Sequence, residues 1–344
     1  MAEATSLMLS IRRFGDRHRR RLRLAVPVLV TVAVLFLVLR AIRPADLTET
    51  LADVRPGLVA LAVLCAFGFI AARAWRYRLL LGGGQPRPPG TILAVTLSSW
   101  GASLILPGPS GDAAFVLLAR TRLKVPVAIG AGAAVLSRLL DVASLLVIAL
   151  ITAPLAGVIL PRLFLVAGAG LAVLITAGLT ALFWGHPRDV IVGWLERLAL
   201  PPAIHERLHL AIDELGSGSR PALLVTATLV MRVATGLQYF VLFLAIDQQL
   251  SLVQVWFALS IRTLLLAVPV QGLGGLGTTQ LWWTAGLTLL GYPAGEALAT
   301  SLAIHLLDLC VSLPQAALGW AFLQWRRTLR DDEALPAEAE AQRV

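Results

Sequence analysis

Six ionisable residues stand inside long apolar runs: Asp141, Asp308, Arg138, Arg232, Arg262 and His305. A charge in a hydrocarbon slab costs several kcal/mol, so such residues face a partner, a watery cavity or a ligand. Arg138 and Asp141 are three apart, close enough on a helix to pair with each other and simply fix its packing. Arg232 and Arg262 have no acid at helical spacing. They must find one on another helix, a backbone end or an anionic ligand, which points to a phosphate-bearing molecule. Gly111 and Asp112 follow Pro107-Gly108-Pro109-Ser110. A helix starting near Gly111 would aim its unpaired amides and positive end at an anion. Asp112 in its first turn would cap that helix or pair with an arginine in the membrane. A competing use of Asp112, Asp141 and His305 is acid–base catalysis on a lipid, which requires all three to face one cavity.

Gly272-Leu273-Gly274-Gly275-Leu276-Gly277 matches the pattern G-x-G-x-x-G. Dinucleotide binding needs a strand before it, a helix after it and a surrounding βαβ unit. Apolar helical runs flank it here, so a turn or hinge is the better use of Gly272, Gly274, Gly275 and Gly277, with Pro107 and Gly108 in the same role upstream. No H-E-x-x-H, G-x-S-x-G or P-loop occurs. Cys65 and Cys310 both lie in apolar runs and offer neither a disulfide framework nor a zinc site. No cofactor is expected.

These residues need elements to hold them, and the composition says which kind. Of 344 residues, 58% are apolar and 14% charged, and the mean hydropathy is +0.81. Soluble domains run nearer half apolar and about a quarter charged. The chain therefore reads as an all-α polytopic membrane protein. Its net charge of +9 comes almost wholly from arginine, Lys124 being the single lysine. Arginines beside the ends of apolar runs are the mark of cytoplasmic loops, and no nucleic-acid motif accompanies them.

Residues 1–23 form a basic cytoplasmic segment, followed by an integral membrane domain over 24–325 and a cytoplasmic tail over 326–344. Leu24 to Ile42 crosses first, and Gly57 to Ala72 returns, ending in Arg73, Trp75, Arg76 and Arg78 as an interfacial anchor. Gly90 to Leu106 breaks at 107–112, and only Ala113 to Ala119 precedes Arg120, Arg122 and Lys124. Seven helical residues rise about 10 Å, so a hairpin that leaves on the side it entered is expected. Further crossings are Val125 to Thr152, Arg162 to Trp184, Pro221 to Ile246 and Ala297 to Leu323, with an amphipathic cytoplasmic loop at 185–220. Leu252 to Val270, a break at Pro269 to Gly277, and a short piece to Leu290 repeat the broken pattern. From Asp331 the acidic tail is expected to lack fixed structure. Both termini fall on the cytoplasmic side of the cell inner membrane.

An internal repeat is visible. Asp141 follows Pro126 by fifteen residues, as Asp308 follows Pro293, and a Pro/Gly break precedes each. Three full crossings separate the copies, so the second is expected to be inverted. Paired, inverted, broken segments point to a transporter-type site near the bilayer midplane.

Several pieces together resemble the lysylphosphatidylglycerol synthase transmembrane-region family, the flippase-like integral membrane proteins. They are Arg73-Ala74-Trp75-Arg76, Leu106 to Asp112, Arg138-Leu139-Leu140-Asp141, and the glycine turn followed by Gly291-Tyr292-Pro293. The resemblance runs from about Leu22 to Trp325 and implies a lipid-handling membrane domain. Three charges of the family pattern are replaced here, by Phe115, Ser137 and Gln280, which suggests a different or less charged headgroup. The aminoacyl-transferase domain of larger relatives is not expected after Trp325.

The leading expectation is a non-enzymatic translocator of a phosphate-bearing or isoprenoid/hopanoid-type lipid between leaflets. Its partner would be a membrane lipid: an anionic phospholipid, a glycolipid or an isoprenoid. The substrate-binding residues would be Arg73, Arg76, Gly111, Asp112, Arg138, Asp141, Arg232, Arg262, His305 and Asp308. The alternatives are a lipid-modifying enzyme and an accessory subunit bound to a lipid-biosynthetic enzyme.

Overall fold

Long apolar runs interrupted by Pro/Gly segments build a helical membrane protein. A computed structural model describes residues 54–82, 87–183, 221–266 and 272–341, with the backbone alone past Trp325. The expected first crossing at 24–42, the basic segment 1–23, the amphipathic loop 185–220 and Pro269 lie outside the described residues. Nine α-helices and no strand occur among those described. They are α1 (Pro56–Leu80), α2 (Pro89–Ile105), α3 (Ser110–Arg122), α4 (Val127–Leu155), α5 (Arg162–Phe183), α6 (Pro221–Ala245), α7 (Leu252–Leu265), α8 (Thr278–Leu289) and α9 (Ala294–Ala341). Of these, α1, α4, α5, α6 and α9 are long and apolar enough to cross a membrane. The protein is a multi-pass membrane protein.

Two expectations need correction. The piece after the first break is not seven residues of helix but thirteen, Ser110–Arg122. Its apolar stretch is short, but the backbone stays helical through Thr121 and Arg122, where arginine is a good helix former. It rises about 20 Å, still less than the ~30 Å hydrocarbon core. The tail is not structureless, because α9 continues through the charged residues to Ala341. Alanine and glutamate, which make up seven of the eleven residues from Asp331 to Ala341, have high helix propensity whatever their net charge.

Prolines begin the elements. Pro56 and Pro89 occupy first-turn positions in α1 and α2, where a missing amide proton costs nothing. Pro126 is the N-cap of α4, and Pro293 directly precedes α9. The short helices α2 and α3 pack together across the break at 106–109, and α7 and α8 pack together across the glycine turn. A one-turn 3₁₀ helix, Leu273–Gly275, lies in that turn and packs against α2.

The helix contacts follow a rule of exchange. α1 packs most extensively on α6, α2 on α9, and α7 on α4. Swapping α1–α4 for α6–α9 in order maps these pairs onto one another. α1 and α6 run antiparallel: the Arg55 amide donates to the Ala245 carbonyl at one end, and Gly68 meets Ala234 further along. Each group of helices has its own core. Tyr77, Phe115, Ile129 and Leu136 belong to the first, and Tyr239, Phe243, Trp283 and Ile304 to the second. Aromatic contacts recur as well: Tyr77 stacks on Phe115 at 3.8 Å, and Tyr239 lies 5.0 Å from Trp283.

Hydrophobic burial drives helices together only weakly inside lipid, so close backbone approach matters more. Gly101 and Gly319 let α2 and α9 meet. A Cβ at Gly319 would lie 2.5 Å from the Leu97 Cβ, and one at Gly101 2.5 Å from the Ala316 Cβ. α5 instead shows Leu163, Phe164, Val166 and Leu174 to its surroundings, as lipid contact requires. Gly319→Leu is expected to lower the unfolding temperature in detergent by the equivalent of about 1–3 kcal/mol of overpacking. Gly170→Ala, with nothing within 4 Å of the added Cβ, should leave it unchanged or slightly higher.

Candidate functional site

The buried charged residues and their partners form two clusters, each around one of the two repeated aspartates. Asp141 sits on the face of α4 that meets α1 and α6. Arg76 Nη1 donates to its Oδ1 at 2.9 Å, and Arg232 Nη2 donates to the same oxygen. Arg76 Nη2 also donates to Ser137 Oγ at 2.7 Å, and Nη1 reaches Thr228 Oγ1 at 3.5 Å. Arg232 Nε donates to Ser144 Oγ at 2.9 Å, and its Nη2 to the Asp141 carbonyl at 3.3 Å. One carboxylate thus anchors three helices.

Two sequence expectations change here. Arg76 is no interfacial anchor, since it is fully buried and ion-paired to Asp141. Its neighbour Trp75 is exposed, because adjacent residues on a helix point about 100° apart. Arg138 and Asp141 do not pair with each other. Arg138 Nε donates to Asp112 Oδ2 on α3 at 2.7 Å instead, so each binds across to a different helix. Arg232, which has no acid at helical spacing on its own helix, finds one in Asp141 on α4.

Gly111 also has a different use. The helix starts at Ser110, and a Cβ on Gly111 would lie 2.6 Å from the Ser103 Cβ and 3.0 Å from the Ser99 carbonyl. Gly111 therefore allows α3 to press on α2. Asp112 makes no side-chain cap, but a carboxylate in the first turn suits the positive helix end while it pairs with Arg138.

Arg73, on α1 one turn before Tyr77, donates to the Tyr77 hydroxyl at 3.4 Å and lies over the rings of Tyr77 and Trp100. It acts electrostatically on both Asp141 and Asp112. Arg73, Arg76, Arg138 and Arg232 therefore share two carboxylates, Asp112 and Asp141. Among the described residues two positive charges are in excess there. Arg76 Nε, moreover, is buried with no hydrogen-bond partner, and buried donors are rarely left so.

The second cluster is built from neutral donors. Asp308 accepts from Gln238 Nε2 and the Tyr239 hydroxyl, both at 2.9 Å, and from Ser312 Oγ at 3.2 Å. The Arg262 guanidinium lies over Tyr239 and Trp283 at 5.6 and 5.7 Å and interacts electrostatically with Asp308. His305 Nδ1 is 3.0 Å from Gln280 Nε2. Gln280 Oε1 in turn accepts the Gly277 amide at 2.6 Å and so closes the glycine turn. Gly274, Gly275 and Gly277 have φ of +63°, +66° and +83°, and Gly108 has +72°, a region open to glycine at little cost. The Gly272 amide donates to Thr278 Oγ1. Asp112, Asp141 and His305 belong to three separate hydrogen-bond networks.

Sequence reasoning missed the partners Thr228, Ser144, Gln238 and Tyr239. Ordinary helix residues like these carry no signal until packing brings them to a charge. The three replacements of the family pattern are now explained. Phe115 stacks on Tyr77, Ser137 accepts from Arg76, and Gln280 ties the glycine turn to His305.

The family model described as the lysylphosphatidylglycerol synthase TM region matches residues 24–314. No curated protein and no solved structure matches the chain.

Asp141→Asn strips the formal negative charge between Arg76 and Arg232. Breaking such a pair in a buried site is expected to cost about 3–5 kcal/mol, read as a lower unfolding temperature in detergent. Adding Arg232→Met to it should recover part of the loss. An Asp141→Asn protein as stable as wild type would remove the ion-pair account.

Proposed function

The chain belongs to the lysylphosphatidylglycerol synthase transmembrane-region family, and from that premise we propose that it moves a phosphate-bearing lipid between leaflets without chemical change. The observation that carries this reading is the charge imbalance around Asp141 and Asp112: among the described residues, four arginines of α1, α4 and α6 stand against two aspartates of α3 and α4. Uncompensated charge at low dielectric is costly, and an anionic headgroup is the natural means of offsetting it. The unfilled Arg76 Nε supports the same reading. The lipid is a phospholipid, a phosphate-bearing isoprenoid or a related hopanoid-type amphiphile, and a lipid-biosynthetic enzyme is a suitable partner to supply it.

In this reading α1–α4 and α6–α9 are inverted copies, with α2–α3 and α7–α8 as hairpins that enter and leave on one side of the membrane. The antiparallel run of α1 and α6 and the exchange rule of helix contacts support the inversion. The shortness of α2, α3, α7 and α8 supports the hairpins. Irregular backbone at 106–109 and 272–277 is acceptable in lipid where protein covers it. The headgroup meets Arg138, the most exposed arginine of the cluster, first; its side chain is 50% exposed. Rocking of one copy against the other then changes the side of access. The arginines flanking the apolar runs support an inner-membrane protein with both termini in the cytoplasm.

Reconstitution in liposomes with fluorescent phosphatidylglycerol and a membrane-impermeant quencher tests the reading. The protein is expected to accelerate transbilayer movement. Arg138→Gln is expected to reduce that rate at least tenfold. Because an exposed pair contributes only about 0–1 kcal/mol, the unfolding temperature should shift by no more than a few degrees. Loss of folding in Arg138→Gln would mean that the arginine is purely structural.

A further inference from the structure

The excess charge calls for an anion, and the packing beside it offers a place for that anion's hydrocarbon chain. A cavity of about 280 Å³ lies between α4, α5 and α6, walled by aliphatic side chains such as Leu140, Val147, Leu179 and Leu224. Four of its lining residues are polar: Thr176 and Thr180 of α5, Ser144 of α4 and Thr228 of α6. The Ser144 and Thr228 hydroxyls are the ones that accept from Arg232 Nε and Arg76 Nη1. The apolar crevice therefore ends on the cationic cluster, through hydroxyls that already touch two of its guanidinium groups. A pocket with mainly aliphatic walls and two guanidinium groups directly behind hydroxyls of its lining suits a long-chain amphiphile with a phosphate at its head.

We propose that the α4–α5–α6 crevice is the chain-binding site of a phosphate-headed lipid, with its tail along Leu140, Val147 and Leu224 and its phosphate at Arg232 and Arg76. This deepens the lipid reading above and rests on it. It adds something that reading lacks: the chain enters on the α5 side, and the hydroxyls of Ser144 and Thr228 mark the boundary between tail and head. α5 then serves as the outer wall of the crevice, which gives a use to a helix standing outside the two four-helix groups.

The full-length protein in detergent, examined by native mass spectrometry, tests the site with three probes: dioleoylphosphatidic acid, dioleoylglycerol and inorganic phosphate. Phosphatidic acid is expected to bind at least tenfold more tightly than dioleoylglycerol, and equimolar inorganic phosphate should not displace it. Val147→Trp and Val225→Trp, which fill the crevice from α4 and from α6, should each weaken phosphatidic acid binding at least fivefold. Leu163→Trp, on the exposed face of α5, should not. Equal binding of dioleoylglycerol, displacement by inorganic phosphate, or wild-type affinity in both crevice variants would overturn the proposal. A second readout needs no variant: phosphatidic acid carrying a tail diazirine should crosslink to α4, α5 or α6 at crevice residues, and crosslinks confined elsewhere would overturn it. The two proposals also fail differently. Absence of transbilayer movement by the wild type counts against translocation alone. Wild-type movement that persists undiminished in both crevice variants counts against this site alone.

Discussion

The structure depends on a single carboxylate. Asp141 is held between Arg76 of α1 and Arg232 of α6, and without it two guanidinium groups would stand unneutralised in a hydrocarbon environment. A buried ion pair of this kind gives little net stability compared with a well-packed apolar substitute, but removing one partner is expensive. Its effect is therefore on arrangement: α1, α4 and α6 cannot slide past one another without uncovering a charge. Ser137, Ser144 and Thr228 add to the arrangement by accepting further guanidinium protons.

The second acid makes the contrast instructive. Asp308 occupies the same place relative to a helix-starting proline, yet its hydrogen-bond donors are an amide and two hydroxyls, with Arg262 nearby over aromatic rings. Positive charge is consequently concentrated where α1, α4 and α6 meet, although the helices themselves correspond in order and packing. α6 serves both acids, through Arg232 for Asp141 and through Gln238 and Tyr239 for Asp308. Six residues separate Arg232 from Gln238, a rise of about 9 Å. Any movement of α6 against α4 or α9 must break one of these sets of bonds, which couples the two halves of the protein mechanically.

Close approach of helices carries the rest. Gly101, Gly319 and Gly286 each face a neighbouring backbone or Cβ at a distance where any side chain would collide. Such contacts replace the hydrophobic driving force that lipid removes. They also hold α2 against α9 and α8 against α7.

Among the described residues the apolar helices, their approximate spans and the two breaks were legible in the chain, because a bilayer admits few backbone solutions and long apolar runs declare themselves. The importance of Asp141, Asp308, Arg232 and Arg138 was legible too, since an ionisable residue in such a run is conspicuous by its cost. Their partners were not. Spacing suggested Arg138 with Asp141, whereas packing turned them to Asp112 on one side and to Arg76 and Arg232 on the other. Arg76 looked like one more interfacial arginine, because nothing in a local stretch distinguishes a residue at a membrane edge from one turned inward toward an acid sixty-five positions away. Local sequence thus determined which segments must be helical and which residues must be satisfied. Only the tertiary structure decided who satisfies whom, because that choice depends on which helix faces are pressed together, and glycine-scale contacts between distant segments set those faces.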